Sequence, residues 1–260
     1  MSANPDEAAM TFWEHLDELR GRLIRSVLAV LIASTACWLV KEQLLLLLTS
    51  PFIDAWNEGA LADKPALHFP APAALFISYV KLALIGGFVL ALPVLLYQLW
   101  AFIAPGLYSS EKRLAIPFVV CSTALFAGGA YFCWRIAAPM AFQYLLGFSG
   151  QIGDNALDIT PTVMIGDYIE FVGRMLIAFG AVFELPVLIF FLSLAGVVNH
   201  LQLIKFARYF VVIAFVVAAV ITPPDIMSQF LLAVPLCLLY VLSIGIAWLV
   251  DKSRRKKLEA

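Results

Sequence analysis

Apolar stretches long enough to cross a lipid bilayer recur along this chain, and they constrain its fold more than any other feature. Hydrocarbon offers no water to backbone N–H and C=O groups, so a spanning segment of about 20 residues must satisfy them internally, as a helix does. We read six such spans, at about Leu23 to Val40, Leu75 to Leu99, Leu114 to Met140, Ile169 to Leu194, Ala207 to Thr222 and Ser228 to Val250. A hydrophobic share of 63% against 13% charged, with a mean hydropathy of +0.94, excludes an ordinary soluble domain. The expected fold class is an all-α membrane protein of six transmembrane helices, with residues 1–260 forming one integral membrane domain.

Orientation follows from the basic residues near the span ends, because cytoplasmic loops carry an excess of Lys and Arg. Arg20, Arg22 and Arg25 precede span one, Lys112 and Arg113 lie between spans two and three, Lys205 and Arg208 between four and five, and "DKSRRKK" follows span six. The opposite side is poorer, and Met140 to Tyr168 holds no basic residue. Both termini are expected in the cytoplasm, and an even number of spans agrees. The opening "MSANPDEAAM" lacks a basic region and a small-residue cleavage site, so no removable signal peptide is expected. The basic tail reads as an anchor beside anionic lipid, not as a nucleic-acid site.

Residues 41–74 predict a short interfacial helix and turns, with Phe52, Trp56 and Phe69 at the interface. "IGGF" in span two and "AGGA" in span three are expected close-packing sites. Span five offers only about 14 residues between Arg208 and Pro223, roughly 21 Å of helix against a hydrocarbon core of roughly 30 Å. Pro93, Pro117, Pro139, Pro186 and Pro235 predict kinks.

Span four contains "AVFELPVLIF", which sets Glu184 alone in an apolar run with no further charge until Lys205. A charge at bilayer depth costs at least about 3 kcal/mol, so an ionisable residue there is a functional candidate. The plainer reading is a neutral acid hydrogen-bonded to a neighbouring helix. Pro186 removes a backbone donor and loosens the helix locally. Gln229, at the start of span six, is a potential polar neighbour. Arg174 is roughly 15 Å from Glu184 along a helix, too far to pair with it, and sits near the outer interface.

Two segments on the basic side hold further candidates. In "TFWEHLDELRGRLIRS", Thr11 and Glu14 form a capping-box pattern that starts a helix running into span one. Glu18 is four residues before Arg22, so an ordinary intrahelical salt bridge is its plainer role. In "WAFIAPGLYSSEKRLAIPF", Pro105-Gly106 breaks the chain, and Ser109 or Ser110 can cap the next helix. Glu111 then falls in a first helical turn, where the dipole favours an acid. Phe102, Leu107 and Tyr108 put apolar and aromatic groups beside that carboxylate, a surface suited to a peptide with positive charge followed by an apolar stretch.

Catalytic chemistry finds little support. "GFSG" lies outside the spans, and His15, His68 and His200 also lie outside them, so no span supplies a base for a serine nucleophile. No zinc-protease, phosphate-loop or dinucleotide motif is present, and no cofactor or metal is expected. Cys37, Cys121, Cys133 and Cys237 lack ligand spacing and read as small buried hydrophobes. A proton-coupled small-solute transporter with Glu184 as proton carrier is the alternative to a peptide receptor.

The motifs together resemble a known family. "HLDELRGRL", "SPF", "YQLWAFIAPGLYSSEKR", "FELP" and "TPPDIMSQ" occur in the order found in TatC, the multi-span core subunit of the twin-arginine protein translocase. The resemblance covers nearly the whole chain. It implies a concave, glove-shaped bundle with short fifth and sixth helices, in the bacterial inner membrane. It implies a non-enzymatic receptor for the twin-arginine signal peptides of folded precursors, with Glu18 and Glu111 as the acids and Arg20, Phe102, Pro105, Leu107 and Tyr108 as neighbours. It further implies Glu184 as the intramembrane acid, Pro51 and Asp225 as outer-side functional positions, TatA-like and TatB-like single-span partners, self-association within the complex, and dependence on the proton motive force. Asp17 adds a carboxylate beside Glu18 that departs from the pattern.

Overall fold

The computed structural model describes residues 12–58, 64–103, 115–152, 157–222 and 226–259. Its helices are α1 (Phe12–Leu39), α2 (Lys41–Glu58), α3 (Pro72–Ile103), α4 (Ala115–Phe132), α5 (Ala138–Leu146), α6 (Ile165–Phe183), α7 (Leu185–Leu194), α8 (His200–Ile221) and α9 (Ile226–Glu259). Among the described residues, six segments are long and apolar enough to cross a membrane: Leu16–Leu39, Pro72–Phe102, Ile116–Leu146, Ile165–Leu194, His200–Ile221 and Ile226–Lys252. The six expected spans are therefore present, most of them longer than their apolar cores.

The fifth span corrects the expectation most. α8 has 22 residues and begins at His200, so Lys205 and Arg208 lie inside it. Its start is fixed by a reciprocal cap: Asn199 Oδ1 accepts from Gln202 N–H at 2.9 Å, and Gln202 Oε1 accepts from Asn199 N–H at 3.0 Å. Asp251 of α9 clamps the same end, accepting from His200 N–H at 3.0 Å with His200 Nδ1 at 2.6 Å. Among the described candidate spans the fifth, with 22 residues, is the shortest, as the resemblance implies, whereas the sixth, with 27, is longer than the first, with 24.

Two short strand pairs, unseen in the sequence, organise the extramembrane segments at the α2 end. β1 (Leu67–His68) pairs in parallel with β4 (Val163–Met164), and β2 (Gly150–Ile152) forms an antiparallel pair with β3 (Leu157–Ile159). α2 folds back onto α5 and α6 beneath them. Phe52 and Trp56, expected at the interface, are instead core residues, 2% and 5% exposed, while Phe69 is exposed. Phe52 meets Phe142 and Tyr168 edge-on, each with ring centroids 5.5 Å apart.

Pro51 explains how α2 docks. It lies inside the helix and has no N–H to give the Leu47 carbonyl one turn back. That carbonyl instead accepts from Trp134 Nε1–H at 2.9 Å and from Ser50 Oγ at 2.9 Å. The neighbouring Leu48 carbonyl takes the Tyr168 hydroxyl at 2.7 Å. Trp134 belongs to a five-residue π-helical segment, Cys133–Ala137, between α4 and α5. Pro139 follows it and cannot donate to the Arg135 carbonyl, so the wider turn accommodates the missing bond. Trp134→Phe keeps the aromatic body but removes the donor. It should cost about 1 kcal/mol and lower the thermal midpoint in detergent by a few degrees; an unchanged midpoint would mean that Ser50 suffices.

The glycine pairs divide. Gly87 and Gly129 sit at close helix contacts, whereas nothing lies within 4 Å of a side chain added at Gly128. Cys37 and Cys133 are buried and Cys237 partly so, but Cys121 faces outward, correcting its expected burial. Among the described residues no group of His, Cys, Asp and Glu is placed to hold a metal ion.

Candidate functional site

The N-terminal part of α1 and the C-terminal part of α3 meet at one end of the bundle, because the two helices run antiparallel along each other. Glu18 Oε1 accepts from Arg22 Nε–H at 2.9 Å and from its Nη2, the four-residue pair expected from the sequence. Arg22 also reaches across to α3, with Nη1 3.5 Å from Gln98 Oε1. The Glu18 and Arg22 side chains are 18% and 19% exposed, so the pair is partly shielded from solvent but still accessible. Phe102 is four residues beyond Gln98 and shares its helix face. Arg20 and Asp17 are exposed, and Arg20, two residues from Glu18, faces a different direction.

Aromatic contacts brace this end. Trp100 is buried and lies 6.3 Å from Phe118 of α4, and Phe118 meets Phe191 of α7 edge-on at 4.8 Å. Three helices are thereby tied around the Glu18 region. Pro105, Leu107, Tyr108 and Glu111 lie outside the described residues, as does Asp225.

Glu184 marks a break in the fourth span. α6 ends at Phe183 and α7 begins at Leu185, with Pro186 in the first turn of α7, as the sequence led us to expect. The carboxyl is set against Ser122 of α4. Glu184 Oε1 and Ser122 Oγ are nevertheless both buried without a well-formed hydrogen bond. Gln229 does not join them: its Nε2 donates to the Phe215 carbonyl of α8 at 3.0 Å, tying α8 to α9. It lies at the start of α9, far in depth from Glu184, which follows all 19 residues of α6. Pro51 is likewise remote from Glu18, at the α2 end.

A family model described as Sec-independent protein translocase protein (TatC) matches residues 14–235. The chain belongs to the TatC family. The TatC protein of Koribacter versatilis (strain Ellin345) is 39% identical over 253 residues, covering 96% of this chain and 90% of that protein. That of Aquifex aeolicus (strain VF5) is 40% identical over 247 residues, covering 95% and 98%. A crystal structure described as twin arginine translocase receptor TatC superposes with a TM-score of 0.78 at 40% identity, over 92% of this chain and all of that one. The six-span helical architecture is thus that of TatC, a multi-pass component of a protein translocase.

Within this TatC fold two residues beyond the expected site residues stand beside the candidate acids or their partners. Gln98 is 9% exposed and is the α3 partner of Arg22; its signal was a lone amide near the end of an apolar span, in "YQLW". Ser122 faces Glu184 and had no local signal, because the pairing depends on how α4 packs against the α6–α7 break.

Proposed function

We propose that this chain is the receptor core of a twin-arginine translocase. It binds twin-arginine signal peptides of folded precursors at the cytoplasmic face, where both of its termini lie, in the bacterial inner membrane. Glu18 and Glu111 take the two guanidinium groups, with Pro105, Leu107 and Tyr108 completing the surface. Arg20 flanks the acids, and Phe102 receives the apolar stretch that follows the arginines. TatA-like and TatB-like single-span subunits assemble with it, and the proton motive force drives transport without nucleotide hydrolysis.

One observation carries this reading: Glu18 already accepts a guanidinium edge-on, through two nitrogens of Arg22, at an accessible rim of the bundle. A carboxylate so presented suits arginine better than lysine, because one planar guanidinium edge brings two N–H groups onto the same oxygen where an ammonium is a point charge. Accessible ion pairs alone are weak, so the apolar contact at Phe102 has to supply part of the affinity. Glu184 then acts deeper, as a polar spot that weakens the bilayer beside the span-four break and meets a polar group of a partner helix. Pro51 and Asp225 act on the outer side. Membership of a protein-translocase family removes the support for small-solute transport.

Photo-crosslinkers placed at positions 18, 111 and 184 test the proposal. Positions 18 and 111 should capture an Arg-Arg signal peptide and release most of that yield for a Lys-Lys version. Equal yields would sink the receptor assignment, and crosslinks from position 184 to lipid alone would remove the role given to Glu184.

A further inference from the structure

Arg174, unexplained by the sequence, belongs to a three-charge cluster on the outward face where α3 and α6 meet. Glu170 Oε2 accepts from Lys81 Nζ at 2.7 Å, and its Oε1 accepts from Arg174 Nη2. The side chains are 45% exposed for Lys81, 39% for Glu170 and 62% for Arg174, and all three lie within membrane-spanning segments. An ammonium has three N–H donors and a guanidinium five, so one carboxylate cannot satisfy both cations. The cluster keeps a net charge of +1.

Depth narrows what can face it. Lys81 and Arg174 each lie nine residues into their helices, roughly 13 Å along the axis from the end nearer α2. Their spans have 31 and 30 residues, and a centred helix of that length overhangs a roughly 30 Å hydrocarbon core by roughly 8 Å at each end. Both cations therefore start only roughly 5 Å below the hydrocarbon edge, within snorkelling reach of the phosphate level. On the same side of α3, Ile77 and Leu84 are 53% and 45% exposed, one turn to either side of Lys81, and offer an apolar path for an acyl chain.

The geometry points to a binding site for one acidic phospholipid in the leaflet opposite the chain termini, its phosphate held between Lys81 and Arg174. A phosphodiester supplies the acceptors that Glu170 lacks, and a singly anionic headgroup balances the residual charge. Glu170 spaces the two cations while competing for their donors, so it positions the site and limits its affinity. The inference is independent of signal-peptide binding, which belongs to the opposite end of the bundle.

Native mass spectrometry of the full chain, titrated with phosphatidylglycerol or phosphatidylcholine, tests it. All arms carry Arg254, Arg255, Lys256 and Lys257 replaced by Gln, which removes the basic tail as a second lipid site. Lys81→Gln and Arg174→Gln should each weaken phosphatidylglycerol retention about fivefold and leave phosphatidylcholine unchanged. Glu170→Gln should move retention the other way, severalfold tighter, which keeps the test decisive if a cation variant folds poorly. Equal retention of the two lipids by the parent, or looser binding by Glu170→Gln, would overturn the proposal. So would a crosslinker at position 174 that captures a single-span subunit in membranes and no lipid.

Discussion

Binding of a twin-arginine signal peptide should fall roughly ten- to hundredfold when Glu18 is replaced by alanine, the range for losing a hydrogen bond to a charged group. Glu111→Ala should do the same, and the double variant should export no twin-arginine precursor while still inserting in the membrane. Arg22→Ala separates this from a purely structural role. If Glu18 served only to hold Arg22 and, through it, Gln98, the two deletions would produce the same defect, since each breaks the same α1–α3 tie. A receptor carboxylate behaves differently. Removing Arg22 takes away the guanidinium that now occupies Glu18, so affinity for the incoming arginines should hold or rise. Fluorescence anisotropy with a labelled signal peptide measures both variants, and matching losses would assign Glu18 to architecture alone.

Gly87→Ala should be the most damaging small substitution in the membrane region. A Cβ at Gly87 would stand 2.1 Å from Ser34 Oγ, 2.5 Å from Ser34 N and 2.6 Å from its Cα, so the obstacle is the backbone of α1 itself. Side-chain rotation cannot relieve such a contact, and the two helices must part. Overpacking of this kind costs about 1–3 kcal/mol and more where backbone is involved. α1 carries Glu18 and α3 carries Gln98, so signal-peptide binding should be lost together with thermal stability. Gly128→Ala is the control: with open space around it, the added methyl should be neutral or favourable by about 0.5–1 kcal/mol through helix propensity. Equal melting of the Gly87 and Gly128 variants in detergent would refute the close contact.

Much of this was legible because hydrocarbon enforces one solution. A run of apolar residues of bilayer length must be a helix, so the spans could be read before any contact was known. The ends were harder. Lys205 and Arg208 interrupt the apolar run, so span five looked short, whereas α8 starts at the Asn199–Gln202 cap and carries both cations on its first turns. Arg208 is accommodated by lying over the Tyr209 ring at 4.7 Å. Aromatic residues beside polar segments favour the interface, so the pattern around Phe52 and Trp56 points there; they are core because α2 turns back against α5 and α6. The Glu18–Arg22 pair is local and was visible in the spacing. Its continuation to Gln98 joins positions 76 apart and depends on the register of two antiparallel helices, which no local pattern encodes.

The parallel bridge between Leu67–His68 and Val163–Met164 pins together the segments that lead into α3 and α6. Two rods stapled at one extremity can spread only toward the other. Any relative motion of the two is therefore largest at the far extremity, where α6 ends and the discontinuity at Glu184 follows.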